Sequence, residues 1–288
     1  MPELPEVQTI VNDLNKKVIG RRIKSAWSDW PKLVKKPKWE IFKQQIKGAK
    51  ILNARRVGKN ILIDLDNNRL LLIHQKMTGH LLVGRWKING VAKPLEPKPV
   101  VIDPQNRFIH LILELDNGKM LALSDLRKFA KVMFGLKSEI ENSQNLPKGI
   151  DPLSSDFTLE KLKSIFAKEK RKIKQVLMDQ DLIVGIGNIY SDEILFEAKI
   201  NPFRASNSLS ANEIKKIYQA ILKILKRAIK LRGTSTSDFR DTEGRRGLFD
   251  KVLKVYRREG EKCPTGNGVI VRKKIGGRSA HFCPTCQK

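Results

Sequence analysis

Asn60-Ile61-Leu62-Ile63-Asp64-Leu65 and, just after it, Arg69-Leu70-Leu71-Leu72-Ile73-His74 decide how the first half of the chain is read. Each is a short apolar run bounded by turn residues, the pattern of a β-strand. Ile51-Leu52-Asn53-Ala54 lies upstream. His110-Leu111-Ile112-Leu113-Glu114-Leu115 lies downstream and ends in an Asp116-Asn117-Gly118 turn. One helix is expected before them, over roughly Glu6 to Lys17, with Val7, Ile10, Val11 and Leu14 on one face. These elements suggest a β-sandwich or barrel, with a helix laid against it, running to about Lys137. Ser138 to Pro152 is polar, with Asn, Ser, Pro and Gly, and reads as a linker. Beyond it the period becomes helical. Ser210-Ala211-Asn212-Glu213 is a capping box that opens a long amphipathic helix ending near Arg232-Gly233. A short cysteine-containing hairpin closes the chain.

At 288 residues the chain is long enough for two domains. Its 57 Lys and Arg against 30 Asp and Glu leave a net charge of +27, a surface that attracts polyanions such as a phosphate backbone. Adaptation to a hot or saline habitat is the alternative source of such a charge. The opening Met1-Pro2-Glu3-Leu4-Pro5-Glu6 has neither the basic start nor the apolar centre of a secretory leader, and no apolar run reaches membrane-spanning length. A cytoplasmic protein is expected. Three cysteines, Cys263, Cys283 and Cys286, sit near the C-terminus, where an odd count points to metal or redox chemistry rather than a disulfide framework.

Cys263-Pro-Thr-Gly266 and Cys283-Pro-Thr-Cys286 look like the two knuckles of a zinc ribbon with one ligand replaced by glycine. Zinc on the three cysteines with a water, zinc with His281 as fourth ligand, and a hairpin held by packing alone are all open. Val184-Gly185-Ile186-Gly187-Asn188 follows a helical stretch, Ile173 to Gln180, rather than a strand, so it is not a dinucleotide-binding loop. It can bring backbone amides to a phosphate at a helix N-terminus, or be a plain helix–helix turn. Proline at position 2 is small enough for Met1 to be removed. That leaves a secondary amine with a pKa near ~8, a candidate nucleophile for a sugar C1′. Glu3 and Glu6 beside it could move protons.

These features lie within a longer pattern: Met1-Pro-Glu-Leu-Pro-Glu-Val7, Gly58-Lys59, His74-Gln-Lys-Met77-Thr-Gly79, Asp125-Leu-Arg127-Lys-Phe129 and Gly149-Ile-Asp-Pro-Leu153. It continues with Ile173-Lys174, Asp179-Gln180, Gly185-Ile-Gly-Asn-Ile-Tyr190, Asn201-Pro202, Tyr256-Arg-Arg-Glu-Gly260 and Gly276-Gly-Arg278-Ser-Ala-His-Phe-Cys283. In this order they resemble the formamidopyrimidine-DNA glycosylase family, and Leu4 in the opening is similar to its oxidised-purine branch.

The resemblance implies an α+β fold: an N-terminal β-sandwich over residues 1–137, a linker over 138–152, a helical domain with a helix–two-turn–helix over 153–250, and a zinc-ribbon-like hairpin over 251–288. It implies a monomer that binds double-stranded DNA carrying oxidised bases or abasic sites, lying in a basic cleft between the two lobes, in the bacterial nucleoid. Pro2 would be the Schiff-base nucleophile and Glu3 the proton carrier at the sugar. Lys59 would be the proton donor in β-elimination, and Arg278 the phosphate grip that assists δ-elimination. Met77, Arg127 and Phe129 would fill the gap left by an everted nucleotide, and Lys170, Lys174 and Asn188 would bind phosphates. Cys263, Cys283 and Cys286 would hold zinc. Two positions depart from the pattern: Gly266 replaces a zinc cysteine, and Phe108 stands where many members carry a DNA-contacting histidine. Three rivals remain: an endonuclease VIII-like preference for oxidised pyrimidines, a non-catalytic, damage-recognising DNA-binding protein, and a generic basic DNA-packaging protein.

Overall fold

The computed structural model describes residues 1–144, 146–236 and 238–288. It divides them into two units, residues 1–146 with 231–250 and residues 147–230 with 251–288. In chain order the first unit contains α1 (Leu4–Lys17), β1 (Ile23–Trp27), β2 (Val34–Lys36), α2 (Trp39–Ile46), β3 (Ile51–Val57), β4 (Asn60–Leu65) and β5 (Arg69–His74). It continues with β6 (Gly79–Asn89), β7 (Val91–Glu96), α3 (Lys98–Ile102), β8 (Ile109–Leu115), β9 (Met120–Asp125), β10 (Lys131–Leu136) and α4 (Lys137–Glu141).

The strands form two five-stranded sheets, β1-β8-β9-β6-β7 and β2-β10-β5-β4-β3. Ile61, Ile63, Leu71 and Ile73 of one sheet share a core with Leu81, Leu111, Leu113 and Leu123 of the other, and with Val7, Ile10, Val11 and Leu14 of α1. Two separate sheets over one core make a sandwich rather than a closed barrel. Alternation along β4 is masked because its other face is buried too. Leu62 packs with Leu70, Leu72 and Ile140 of α4, so the strand reads as a continuous apolar run. Two hairpins set the register. Asn67 and Asn68, both at positive φ, turn β4 into β5, and Gly58 at φ 59° starts the two-residue Gly58-Lys59 turn between β3 and β4. Lys59 therefore stands at a hairpin tip.

The second unit contains α5 (Leu159–Ala167), α6 (Ile173–Met178), α7 (Asn188–Ala198), α8 (Ala211–Lys230), β11 (Val271–Ile275) and β12 (Arg278–Phe282), the last two paired antiparallel. The expected capping box of α8 is present. The Ser210 N–H donates to Glu213 Oε2 at 2.7 Å, and the Glu213 N–H donates to Ser210 Oγ at 3.4 Å.

Two expected boundaries shift. The segment read as a linker over 138–152 begins as helix, because Ile140 completes the outer cluster on β4 and β5; residue 145 lies outside the described residues. Residues 231–250, expected with the helical domain, pack instead into the first unit. Arg232 Nη2 reaches Asp13 Oδ2 at 2.5 Å, the Thr242 hydroxyl donates to the same oxygen at 2.8 Å, and Lys17 Nζ donates to Thr242 Oγ1 at 2.8 Å. Asp13 is buried, and these cations and hydroxyls compensate its charge.

Candidate active site and nucleic-acid interface

The first unit buries the chemistry of the N-terminus. Pro2 is buried, as are Glu3 (3% exposed) and Glu6 (1%). Pro5 early in α1 fits the first turn, where a missing N–H costs nothing. The Glu3 N–H donates to Glu6 Oε2 at 2.8 Å. The other oxygen, Oε1, accepts the Thr234 N–H at 2.7 Å, so Glu6 ties the helix start to the returning segment. Gly233 makes room for this. It sits at φ +80°, and a β-carbon there would stand 2.7 Å from Glu6 Oε1 and 2.9 Å from its Cγ. The amino group of Met1 is held below the ordinary amine range, chiefly by burial; Lys59 lowers it further, while Glu3, Glu6 and Asp238 oppose the shift. An amine, two carboxylates and the buried Lys59 (8% exposed) are thus electrostatic neighbours.

His74 adds to this region and was in the quoted pattern without a role. Its Nδ1 accepts the Lys76 N–H at 3.0 Å. Burial, then Lys76 and Lys59, push its pKa down to about 4. The imidazole is therefore neutral, with its proton on Nε2.

Met77 (41% exposed), Arg127 and Phe129 (50%) project from two loops of the same unit. The Arg127 guanidinium stacks over the Phe129 ring at 4.6 Å. Buried Asp125 holds both loops. One oxygen takes the Thr78 hydroxyl and the Arg127 N–H (3.3 Å), and the other takes the Ala130 N–H at 2.7 Å. Met77 and Phe129 are thereby kept exposed on loops anchored by one buried carboxylate. Phe108 is half-buried beneath Arg107 at 6.0 Å.

In the second unit, Arg278 follows the Gly276-Gly277 turn of the β11–β12 hairpin, where both glycines have positive φ. It lines a cleft of about 220 Å³ together with Arg171, Lys174, Gln175, Met178, Asp179, Ile275 and Gly276. Arg171 was not anticipated; its guanidinium pairs with Glu169 at 2.7 Å and with Asp179 at 2.8 Å. Asn188 opens α7 as expected, after a turn stitched by Gln180. That side chain donates to Met178 O and Ile186 O and accepts the Gly185 N–H at 2.8 Å. Lys170 is exposed.

Lys174 is different from the expected phosphate hand. Its side chain is 0% exposed, and its ammonium is held by Asp192 Oδ1 at 2.5 Å and Ser191 Oγ at 3.0 Å. A lysine so enclosed locks α6 to α7 rather than reaching a ligand. Asp192 Oδ2 then accepts both the backbone N–H (3.0 Å) and Nδ1 (2.9 Å) of His281 on β12.

His281 does not group with the cysteines at metal-binding distances among the described residues, and its Nε2 lies 3.6 Å from Glu259 Oε2. The sulfurs of Cys263, Cys283 and Cys286 lie within 4.8 Å of one another, and those of Cys263 and Cys286 are 3.5 Å apart. Zinc–thiolate bonds of ~2.3 Å put tetrahedral sulfurs about 3.8 Å apart, so these three fit three corners of a zinc site. Gly266 offers no side chain for the fourth.

Among the described residues no helix is long and apolar enough to cross a membrane. The chain matches the formamidopyrimidine-DNA glycosylase N-terminal domain over residues 1–132 and the formamidopyrimidine-DNA glycosylase H2TH domain over 148–240. It matches the zinc finger found in FPG and IleRS over 260–288. A formamidopyrimidine-DNA glycosylase of Pelotomaculum thermopropionicum is 38% identical over 289 residues, covering 100% of this chain and 99% of that protein. Two Lactococcus lactis Fpg structures superpose with a TM-score of 0.86 over 100% of both chains. One, a mutant with Fapy-dG-containing DNA, is 30% identical, and the other, wild type with DNA containing an oxidised pyrimidine, is 31% identical. From its N-terminal sandwich through its helical and zinc-finger regions, the chain belongs to the formamidopyrimidine-DNA glycosylase family.

Proposed function

We propose that this chain is a bifunctional DNA glycosylase and abasic-site lyase of base excision repair. It removes oxidised purines such as 8-oxoguanine and formamidopyrimidines, and it works as a monomer in the bacterial nucleoid. The observation that carries this reading is the burial of Pro2 beside the buried Glu3, Glu6 and Lys59, the same groups that act electrostatically on the adjoining Met1 amine.

After loss of Met1, the Pro2 nitrogen attacks C1′, the bond to the damaged base breaks, and an iminium forms. Glu3 moves the proton as the sugar ring opens. The iminium acidifies the C2′ hydrogen; its loss expels one phosphate, and a second elimination expels the other. Lys59 supplies a proton in the first elimination, and Arg278 stabilises the departing phosphate. Met77, Arg127 and Phe129 fill the space of the everted nucleotide, and Lys170 and Asn188 hold the backbone. Lys174 serves as a buried tie between α6 and α7. Cys263, Cys283 and Cys286 would hold zinc, which supplies cross-linking in place of a core too small to form on its own.

The test is borohydride trapping on a duplex with one 8-oxoguanine opposite cytosine, comparing Met1-processed wild type with Pro2→Gly. A covalent complex in wild type alone supports the reading; no complex with either sinks it. Kinetics on an oxidised pyrimidine in the same duplex decide the lesion preference, since a Lactococcus lactis relative has been crystallised with such DNA.

A further inference from the structure

We infer that the metal centre of this chain has an open fourth vertex, facing solvent, that accepts the sulfur of a small free thiol. The inference rests on the zinc reading of the cysteine cluster. Three observations carry it. The cluster contains three donors and no fourth: among the described residues, only Cys263, Cys283 and Cys286 group together at metal-binding distances. The histidine of the same hairpin, His281, does not group with them; its Nδ1 bonds Asp192 and its Nε2 lies 3.6 Å from Glu259 Oε2. The remaining neighbour, the Thr265 hydroxyl, lies 3.6 Å from Cys263 Sγ and is a neutral oxygen, a poor match for a thiolate-rich zinc site.

The open side is accessible. Cys263 and Cys283 are buried, but Cys286 and Gly266 are half-exposed, and Thr265, Asn267 and Thr285 around them are exposed. Cys286 Sγ stands 2.7 Å from where a β-carbon of residue 266 would be, so the backbone that would carry a fourth cysteine runs directly beside the sulfur cluster. Water is the default occupant of such a vertex. Zinc prefers sulfur to water when both are offered. A small thiol binds by giving its proton to solvent while its sulfur takes the place of the water on the metal; no oxidant or reductant is consumed.

Cobalt(II) makes this visible, because each added thiolate strengthens the sulfur-to-cobalt charge-transfer bands and shifts the visible bands. The full chain, loaded with one equivalent of cobalt(II), is titrated with 2-mercaptoethanol beside Gly266→Cys. The new β-carbon meets Cys286 Sγ alone, a side-chain end rather than backbone, so only that sulfur has to adjust within the cluster. The wild-type spectrum is expected to gain charge-transfer intensity and end where the Gly266→Cys spectrum begins, while the variant does not respond. A wild-type spectrum indifferent to thiol means the protein supplies the fourth donor and overturns the open vertex while leaving the zinc reading standing. Cobalt bound by Gly266→Cys but not by wild type overturns both.

Discussion

Glu6 Oε1 accepts the backbone N–H of Thr234 at 2.7 Å, while Glu6 Oε2 accepts the N–H of Glu3 at 2.8 Å. One buried carboxylate thus fixes the N-terminal end and the returning segment at once. Gly233, between α8 and Thr234, is the residue that permits it. Gly233→Ala would force a side chain into φ +80° and into Glu6. A loss of about 1–3 kcal/mol is expected, measured by urea unfolding, with base excision falling in parallel. Unchanged stability would contradict this packing.

Asp125 ties together the loops that carry Met77, Arg127 and Phe129. Asp125→Asn replaces a double acceptor with a group that can accept on one side only, freeing either Thr78 and Arg127 or Ala130. Affinity for lesion-containing duplex is expected to fall roughly tenfold, about 1.4 kcal/mol, as read by fluorescence anisotropy. Trapping by Pro2 at saturating DNA should survive.

His74 supplies a pH signature. Its folded pKa of about 4 lies below the ordinary 6.5. Between those values the unfolded chain binds the extra proton, so stability is retained above pH 6.5 and falls as pH drops towards 4. Wild type is expected to lose roughly 2 kcal/mol relative to His74→Gln across that window. Parallel stability profiles for the two proteins would refute the assignment.

Asp192 joins Lys174 to His281 in a buried chain. Asp192→Asn leaves the ammonium of Lys174 enclosed without its counter-charge, and a loss of about 3–5 kcal/mol is expected from thermal and urea unfolding. The double variant Asp192→Asn with Lys174→Met should recover part of it, because the stranded charge is gone.

Helix α1 and the hairpins of the first unit were legible because their signals are local. Val7, Ile10, Val11 and Leu14 repeat at helical spacing, and the turns between strands carry Asn or Gly where positive φ is needed. The cysteine knuckles were legible for the same reason. Lys174 was not: a lysine in a basic motif reads identically whether it meets solvent or Asp192, and only the packing of α6 on α7 decides. His281 looked available as a ligand, but where the hairpin places it relative to the cysteines is set by tertiary packing, including its bond to Asp192 of α7. The course of residues 231–250 was hidden most completely. Its partners, Glu6 and Asp13, lie over two hundred positions earlier, beyond any periodicity or spacing argument.

The same returning segment sets the order in which the protein can mature. At ribosomal rates of about 5–20 residues per second, the 219 positions between Asp13 and Arg232 are bridged only after roughly 10–40 seconds. Until then, two buried carboxylates near the start of the nascent chain, Glu6 and Asp13, wait without their backbone and cationic partners. The end synthesised first is therefore among the last to become complete, and a polypeptide stopped at Lys230 would carry Pro2, Glu3 and Lys59 yet lack the strap that engages Glu6 and Asp13 on the same helix.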